Sequence, residues 1–390
     1  MTRLLVVSHT AKLGGGEIAL ANLLTHLHQA DDDRFKPEVV VFEDGPLVDR
    51  LGSVGIPTTL MPLGEQIRAA SKDATGIRSI GKLPAAMKFV GRLKRHIRQS
   101  GAELVYCNSL KADVLGGVAA RLAGVPCIWH VRDRVEPDYL PAKVVPVFRK
   151  LAAWVPAGVA ANSEHTLATL HLPREKPTQV IYSGVVPPAE VADEPDGPPV
   201  IGLVGRLAPW KGQHVFLEAA ARVRADIPDA RFRLIGSALF GEDDYERRLR
   251  DRAERPDLSG AVEFSGFRDD IWSALAELNL VVHASVTPEP FGQVVVEAMA
   301  ARRAVIATDG GGVRETVVDG QTGVLIAMGD EDRMAESMAR QIVRLLRDDD
   351  LRHRMAAAGR DRALSTFHIS QTSQTCLTLI DEVLSRRARR

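Results

Sequence analysis

The sequence predicts an α/β protein made of two Rossmann-like, doubly wound domains. Three observations predict it. Short, continuously apolar runs recur along all 390 residues, the pattern of parallel strands buried on both faces. Helix-like segments separate these runs, which implies βαβ units. The length also exceeds what one hydrophobic core usually supports.

In the first half, strands are expected at Leu4 to Ser8, Glu38 to Phe42, Thr58 to Met61, Leu104 to Cys107, Cys127 to His130, Gly158 to Ala161 and Gln179 to Tyr182. In the second half they are expected at Val200 to Val204, Arg231 to Ile235, Val262 to Phe264, Leu280 to His283, Ala304 to Ala307 and Gly323 to Ile326. Between the halves, the run from Val185 to Pro199 holds five prolines, several acids and no aromatic residue, a linker composition. The expected division is residues 1–185, a linker at 186–199, and 200–367. Ser370 to Leu384 reads as an amphipathic helix, followed by a solvated basic end, Arg386-Arg387-Ala388-Arg389-Arg390.

Lys plus Arg and Asp plus Glu each number 50, so the formal charge is zero. A dedicated nucleic-acid binder would show a basic surplus, and no nucleic-acid partner is expected. Cys107, Cys127 and Cys376 are scattered and form no CxxC pair, which suits a reducing, cytoplasmic setting. The opening apolar run is too short for a signal peptide, and no stretch of about 18 apolar residues occurs.

The most informative segment is Pro288-Glu289-Pro290-Phe291-Gly292-Gln293-Val294-Val295-Val296-Glu297. Glu289 lies in a Pro/Gly loop after an expected strand, and Glu297 lies in a run that reads as helix. Open α/β sheets place ligands at the carboxyl ends of their strands. Carboxylates there can accept hydrogen bonds from the hydroxyls of a sugar or ribose. In Gly205-Arg206-Leu207-Ala208-Pro209-Trp210-Lys211-Gly212, two cations sit five residues apart after a strand. They suit a diphosphate, or are two surface cations. Leu13-Gly14-Gly15-Gly16-Glu17 precedes an expected helix from Ile18 to Leu27. It is a phosphate site or a tight turn, and it is not a GxGxxG dinucleotide fingerprint. His130 closes a strand and either meets a sugar hydroxyl or is a satisfied structural histidine. The run Gly310-Gly311-Gly312 lets a backbone approach a ligand or makes an αβ turn.

In this order, these residues resemble the retaining, nucleotide-sugar-dependent glycosyltransferases of family 4, with the GT-B fold. The resemblance spans nearly the whole chain and is densest from Ile201 to Ile326. It implies a GT-B architecture of two Rossmann-like domains facing a central cleft, with the C-terminal helix of about 368–390 joining the first domain. It implies that Arg206 and Lys211 hold the donor diphosphate, that Glu297 takes the ribose hydroxyls, and that Glu289 contacts the donor sugar beside the backbone amides of Phe291, Gly292 and Gln293. His130 would reach the sugar from the other domain, and Gly15 and Gly16 the phosphate or the acceptor. Phe267 and Arg268 match the segment that meets the base, and Gly236 and Ser237 another nucleotide-side turn. Two departures concern a helix exit, where Arg302 replaces the usual Gly and Ala304 the usual Pro. A third is Ser183-Gly184-Val185-Val186, which lacks the usual Asn and Asp.

The resemblance implies a metal-independent transfer. The segments that carry the resemblance hold no Asp-x-Asp metal motif, and neither a metal nor a cofactor is expected besides the nucleoside-diphosphate sugar. Within enzymes the alternative is sugar-nucleotide epimerisation. Outside them it is a non-catalytic GT-B protein that binds a nucleotide sugar or a partner. The acceptor class stays open among a glycan, a lipid-linked glycan and a small molecule. Met87 to Arg98 carries Lys88, Arg92, Lys94, Arg95 and Arg98 around apolar residues. It reads as a peripheral contact with the inner face of a membrane or as a solvated helix face.

Overall fold

The computed structural model describes residues 2–30, 34–64, 83–239 and 241–389. Arg390, in the expected basic end, lies outside them. The chain divides into two compact units: Met1–Gly184 with Ile369–Arg390, and Val185–His368.

The first unit holds β1 (Thr2–Ser8), β2 (Phe35–Val41), β3 (Thr58–Leu60), β4 (Leu104–Cys107), β5 (Cys127–Val131), β6 (Gly158–Ala161) and β7 (Thr178–Val180). They form one parallel sheet in the order β3-β2-β1-β4-β5-β6-β7. The strand order reverses between β1 and β4, which makes the carboxyl ends of those strands the switch point of a doubly wound sheet. Strand alternation feeds two cores. Leu4 and Val6 join Leu20, Leu24, Leu379 and Ile380, under the helices Gly15–Gln29 and Ile369–Ala388. Leu5 and Val7 join Phe89, Leu93, Ala119 and Phe148, under Leu83–Gln99, Leu110–Ala123 and Val144–Trp154. The glycine pair inside Leu110–Ala123 has a packing reason: a Cβ on Gly117 would lie 2.3 Å from the Trp129 indole nitrogen.

The second unit holds β8 (Val200–Val204), β9 (Arg231–Ile235), β10 (Val262–Gly266), β11 (Leu280–His283), β12 (Ala304–Asp309) and β13 (Val324–Ala327). The order is β10-β9-β8-β11-β12-β13, all parallel. Its switch point lies between β8 and β11. The helix Glu331–Arg347 shows how sequence makes these elements. The Asp330 side chain accepts from the Arg333 N–H at its start, and Met334, Met338, Ile342 and Leu345 fall on one buried stripe. Each such aliphatic side chain contributes roughly 1.5–3 kcal/mol by leaving water.

The two-sheet α/β class read from the sequence holds. Each expected strand is present, with shifts at the ends: β1 starts at Thr2, β2 covers Phe35–Val41, and β7 stops at Val180. The proline-rich stretch is tied down by side chains of its own unit. Arg303, almost wholly buried, donates to the Ala192 and Asp193 carbonyls, and Arg352 donates to Glu194.

Candidate active site

In the second unit, the loops after β8 and β11 are stitched together. Val286 N–H donates to the Trp210 carbonyl at 2.9 Å. Gly212 has a φ of +71°, and a Cβ there would lie 2.0 Å from the Ala284 carbonyl oxygen, so a side chain is excluded. This stitching places Lys211 Nζ against Glu289 Oε1 in an ion pair whose side chains are only 14% and 10% exposed. The other Glu289 oxygen lies 2.5 Å from His283 Nε2 and accepts from Ser285 Oγ at 2.8 Å. Thr308 Oγ1 lies 3.3 Å from His283 Nδ1, behind them. Burial alone would raise the pKa of Glu289, but the Lys211 and His283 charges outweigh it and hold the carboxyl well below the usual carboxylate range. Glu289 is therefore a fixed anion.

Arg206 lies on the same edge. Its Nε is 3.8 Å from Glu242 Oε1, and its carbonyl accepts from Gln213 Nε2. Trp210 lies between the two cations, with Arg206 Cζ 5.8 Å and Lys211 Nζ 4.4 Å from its ring centre, a cation–π arrangement. The turn beside them depends on Gly236, whose φ is +142°. A Cβ there would lie 2.1 Å from the Gly205 carbonyl oxygen. The Ser237 carbonyl accepts from Leu207 N–H at 3.1 Å. Phe267 is half exposed, and Arg268 pairs with Glu277 at 2.9 Å.

Gly292, at φ +88°, caps the helix Gln293–Ala300. The helix start directs backbone N–H groups and the positive end of the helix dipole toward the same edge. The Phe291 side chain is buried with its ring edge-on to Phe367, which leaves its backbone as the part that can meet a ligand. Glu297 is almost fully buried and accepts from Gln293 Nε2 at 3.0 Å. Burial pushes its carboxyl up to about 7, against the opposing effect of Gln293. The two glutamates of the motif thus occupy opposite electrostatic states. The glycine run packs against this motif. Gly312 N–H donates to the Glu289 carbonyl at 2.8 Å, and a Cβ on Gly311 would lie 2.0 Å from that oxygen. Its close backbone approach is to the Glu289 loop.

In the first unit, a polar network lines the carboxyl edge of β4 and β5. His130 is fully buried, and its Nδ1 lies 2.6 Å from the Tyr106 hydroxyl and 3.3 Å from Arg132 Nη2. A guanidinium only donates, so Nδ1 is the acceptor and Nε2 carries the ring proton. Burial, then the Arg132 charge, hold His130 well below its ordinary range, so the ring is neutral. Nε2 forms no geometrically good hydrogen bond, although the nearby Ile181 backbone offsets part of that shift. Arg132 donates to Asn108 at 2.7 Å and to Ser183 at 3.1 Å. Gly15 and Gly16 lie inside the first turn of Gly15–Gln29, three residues before the expected helix start. A Cβ on Gly16 would lie 3.1 Å from Arg132 Cδ, and Asn108 Nδ2 lies 3.4 Å from the Gly16 carbonyl.

Sequence reasoning missed His283, Ser285 and Thr308 behind Glu289, and Arg132, Asn108 and Tyr106 around His130. A signal existed for His283. It closes β11 as His130 lies near the end of β5, and a polar residue ending an apolar strand marks a sheet edge. Among the described residues, no group of three or more His, Cys, Asp or Glu side chains is arranged to hold a metal ion.

Two Rossmann-type sheets, each with polar side chains gathered where its strand order reverses, define a GT-B protein. The chain belongs to the group 1 (family 4) glycosyltransferases. The family described as "Glycosyl transferases group 1" matches residues 189–362, and "Glycosyl transferase 4-like domain" matches residues 14–176. HepE of Anabaena, solved in complex with UDP-glucose, is 27% identical with a TM-score of 0.81 over 98% of this chain and all of that one. The lipopolysaccharide core biosynthesis glycosyltransferase LpsE of Rhizobium meliloti is 32% identical over 188 residues, 48% of this chain and 51% of LpsE. A phosphatidyl-myo-inositol mannosyltransferase of Mycolicibacterium smegmatis is 36% identical over 183 residues, 45% of this chain and 44% of that protein. The matched segment thus spans about half the length of these curated relatives.

Proposed function

We propose that this protein transfers a sugar from a UDP-sugar to a hydroxyl acceptor, with retention at the anomeric carbon and without a metal ion. The observation that carries the reading is the Lys211–Glu289 pair, set beside Arg206 and the start of Gln293–Ala300. Cleavage of the anomeric C–O bond leaves negative charge on the departing diphosphate. Arg206, the remaining N–H donors of Lys211 and the helix start stabilise that charge as it grows. The acceptor oxygen bonds to the anomeric carbon on the face the nucleotide leaves, and its proton passes to a departing phosphate oxygen. Glu289, pinned by Lys211, His283 and Ser285, is built to orient sugar hydroxyls, and no nucleophilic role is assigned to it. Glu297 takes the ribose hydroxyls, Gly236 and Ser237 form the nucleotide-side turn, and Phe267 and Arg268 meet the base. His130, as a neutral Nε2–H donor, is assigned to the sugar, and Gly15 and Gly16 to the phosphate or the acceptor.

Uridine is the base we favour, because the HepE structures hold UDP-glucose or UDP. A lipid-linked acceptor is the class we favour, because the relatives' names speak of lipopolysaccharide core biosynthesis and of phosphatidyl-myo-inositol. Such work would occur on the cytoplasmic side of a membrane. Among the described residues, no helix is long and apolar enough to cross one. The test is a thermal-shift screen of UDP-, GDP- and ADP-sugars, followed by transfer, hydrolysis and epimerisation assays with the best donor. Transfer to an added acceptor with a retained anomer is the expected result. Epimerisation alone, or tight binding without turnover on any acceptor, would overturn it.

A further inference from the structure

The basic helix Leu83–Gln99 does not offer an apolar face to lipid. Phe89, Val90, Leu93 and Ile97 are buried in the core of the first unit. A different helix on the same side of the sheet does offer one. Val144–Trp154 buries Val145, Phe148 and Ala152. Its opposite side exposes Val144, Val147 and Trp154 at 44%, 58% and 73%. Residues at i, i+3 and i+10 share one face of an α-helix, so these three form a single outward apolar stripe. Apolar residues on both faces of a surface helix are not explained by its own core.

Cations predominate on the helices of this side of the sheet, and the acid that meets Val144–Trp154, Glu136, is paired with Arg149. The helices Leu83–Gln99, Leu110–Ala123 and Val144–Trp154 together contain one acid, Asp113, and it is buried. Their exposed residues include Lys88, Arg92, Arg95, Arg98, Arg121 and Lys150. Among the described residues, Lys88, Arg95, Arg121 and Lys150 have no carboxylate within ion-pair distance. In the second unit, by contrast, Asp243–Ala253 interleaves its arginines with acids, as in the Arg250–Glu246 pair. A chain with zero formal charge has therefore gathered cations on the helices of one sheet face, the same layer whose helix Val144–Trp154 exposes its tryptophan.

We propose that this face docks on an anionic lipid bilayer, with Val144, Val147 and Trp154 entering the headgroup layer and Lys150 and its cationic neighbours pairing with lipid phosphates. Tryptophan suits such a boundary, since its ring is apolar and its N–H seeks a polar partner. Each Lys or Arg near an anionic surface adds roughly fivefold to partitioning. The docking would bring the enzyme to the lipid-linked acceptor proposed above. It is tested without donor or turnover, so a failure of transfer and a failure of docking are separate results.

The experiment is sedimentation of the full chain with phosphatidylcholine vesicles that contain or lack phosphatidylglycerol. Binding at least tenfold stronger to the anionic vesicles is expected, with a blue shift in tryptophan emission that Trp154→Phe removes. Val147→Asp with Trp154→Ala should abolish binding while leaving the melting temperature unchanged, because both side chains are exposed. Lys150→Glu should weaken it severalfold. Binding that ignores these substitutions, or that is equal on neutral vesicles, would overturn the proposal. So would absence of vesicle binding together with self-association that the same double variant removes in a sedimentation-velocity run.

Discussion

Lys211 and Glu289 form a buried ion pair that joins the loop after β8 to the loop after β11. The two residues are 78 positions apart in sequence and come from strands that flank the switch point of one sheet. One cation is thereby both a positioning group for the carboxylate and a donor toward the proposed diphosphate. That double duty separates the effects of removing either partner.

Lys211→Ala should lower the rate of transfer strongly and also destabilise the second unit. Removing Lys211 leaves the buried Glu289 with His283 and Ser285 alone, a loss of up to about 3 kcal/mol. Combining Lys211→Met with Glu289→Gln should restore part of that stability and none of the rate. Chemical denaturation and single-turnover transfer on the single and double variants check this. A double variant as unstable as Lys211→Ala would contradict the pairing.

The two glutamates should fail differently. Glu297→Gln should weaken UDP binding with the sugar absent, by roughly tenfold, since charge-assisted hydrogen bonds contribute about 1.5–3 kcal/mol. Glu289→Gln should leave affinity for UDP nearly unchanged and lower the transfer rate, because it orients the reacting sugar. Calorimetry with UDP beside single-turnover kinetics measures both. Equal loss of UDP affinity in the two variants would refute the division of labour.

Glu297 also sets a pH dependence. Its folded value, about 7, lies above the ordinary 4.5. The folded state therefore holds the proton more tightly than the unfolded state. That contribution to stability is complete below about pH 4.5 and is lost as pH rises through about 7. Between pH 5 and 8 the melting temperature without ligand should fall by a few degrees relative to that of Glu297→Gln. Glu17, pushed up to about 7 mainly by burial, acts in the same direction in both proteins, whereas His9, lowered to about 4 mainly by burial, and His130 act in the opposite one. UDP affinity should rise over the same interval as the carboxylate forms, and should be flat in the Gln variant.

Transfer should survive exhaustive EDTA treatment, since the proposed charge stabilisation comes from Arg206, Lys211 and a helix start. An absolute requirement for Mg2+ or Mn2+ in the purified enzyme would count against those assignments.

Two backbone positions give opposite stability effects. Arg302 has a φ of +55° at the exit of Gln293–Ala300, where a side chain costs energy that glycine avoids. Arg302→Gly should stabilise by up to about 1 kcal/mol, because its 3.6 Å pair with Asp193 is solvent-exposed and worth little. Gly212→Ala should destabilise by about 1–3 kcal/mol, because the position has positive φ and no room beside the Ala284 carbonyl. Thermal melts of the two variants should move in opposite directions.

The sequence by itself determined the class of fold, the strands, and the polar loops that follow them. Strands buried on both faces are continuously apolar, and that signal is local, so thirteen runs could be read one at a time. The E-x7-E segment was legible because a Pro/Gly loop and a helix start are local as well. Tertiary structure alone decided how those residues differ. Glu289 and Glu297 are the same amino acid, but one meets Lys211 and His283 while the other is buried with Gln293 alone, so one is a fixed anion and the other is poised near neutrality. Gly310-Gly311-Gly312 read as a ligand cradle or an αβ turn, and the structure sets its backbone against the Glu289 loop. The basic helix Leu83–Gln99 read as a membrane contact or a solvated helix face, and the structure puts its apolar residues Phe89 and Leu93 in the core, leaving its cations on the surface. The reason is the same in each case. Spacing along a chain fixes what a residue can offer, whereas charge state and exposure depend on the packing around it, with neighbours as near as Gln293 to Glu297 and as far as Lys211 to Glu289, 78 positions away.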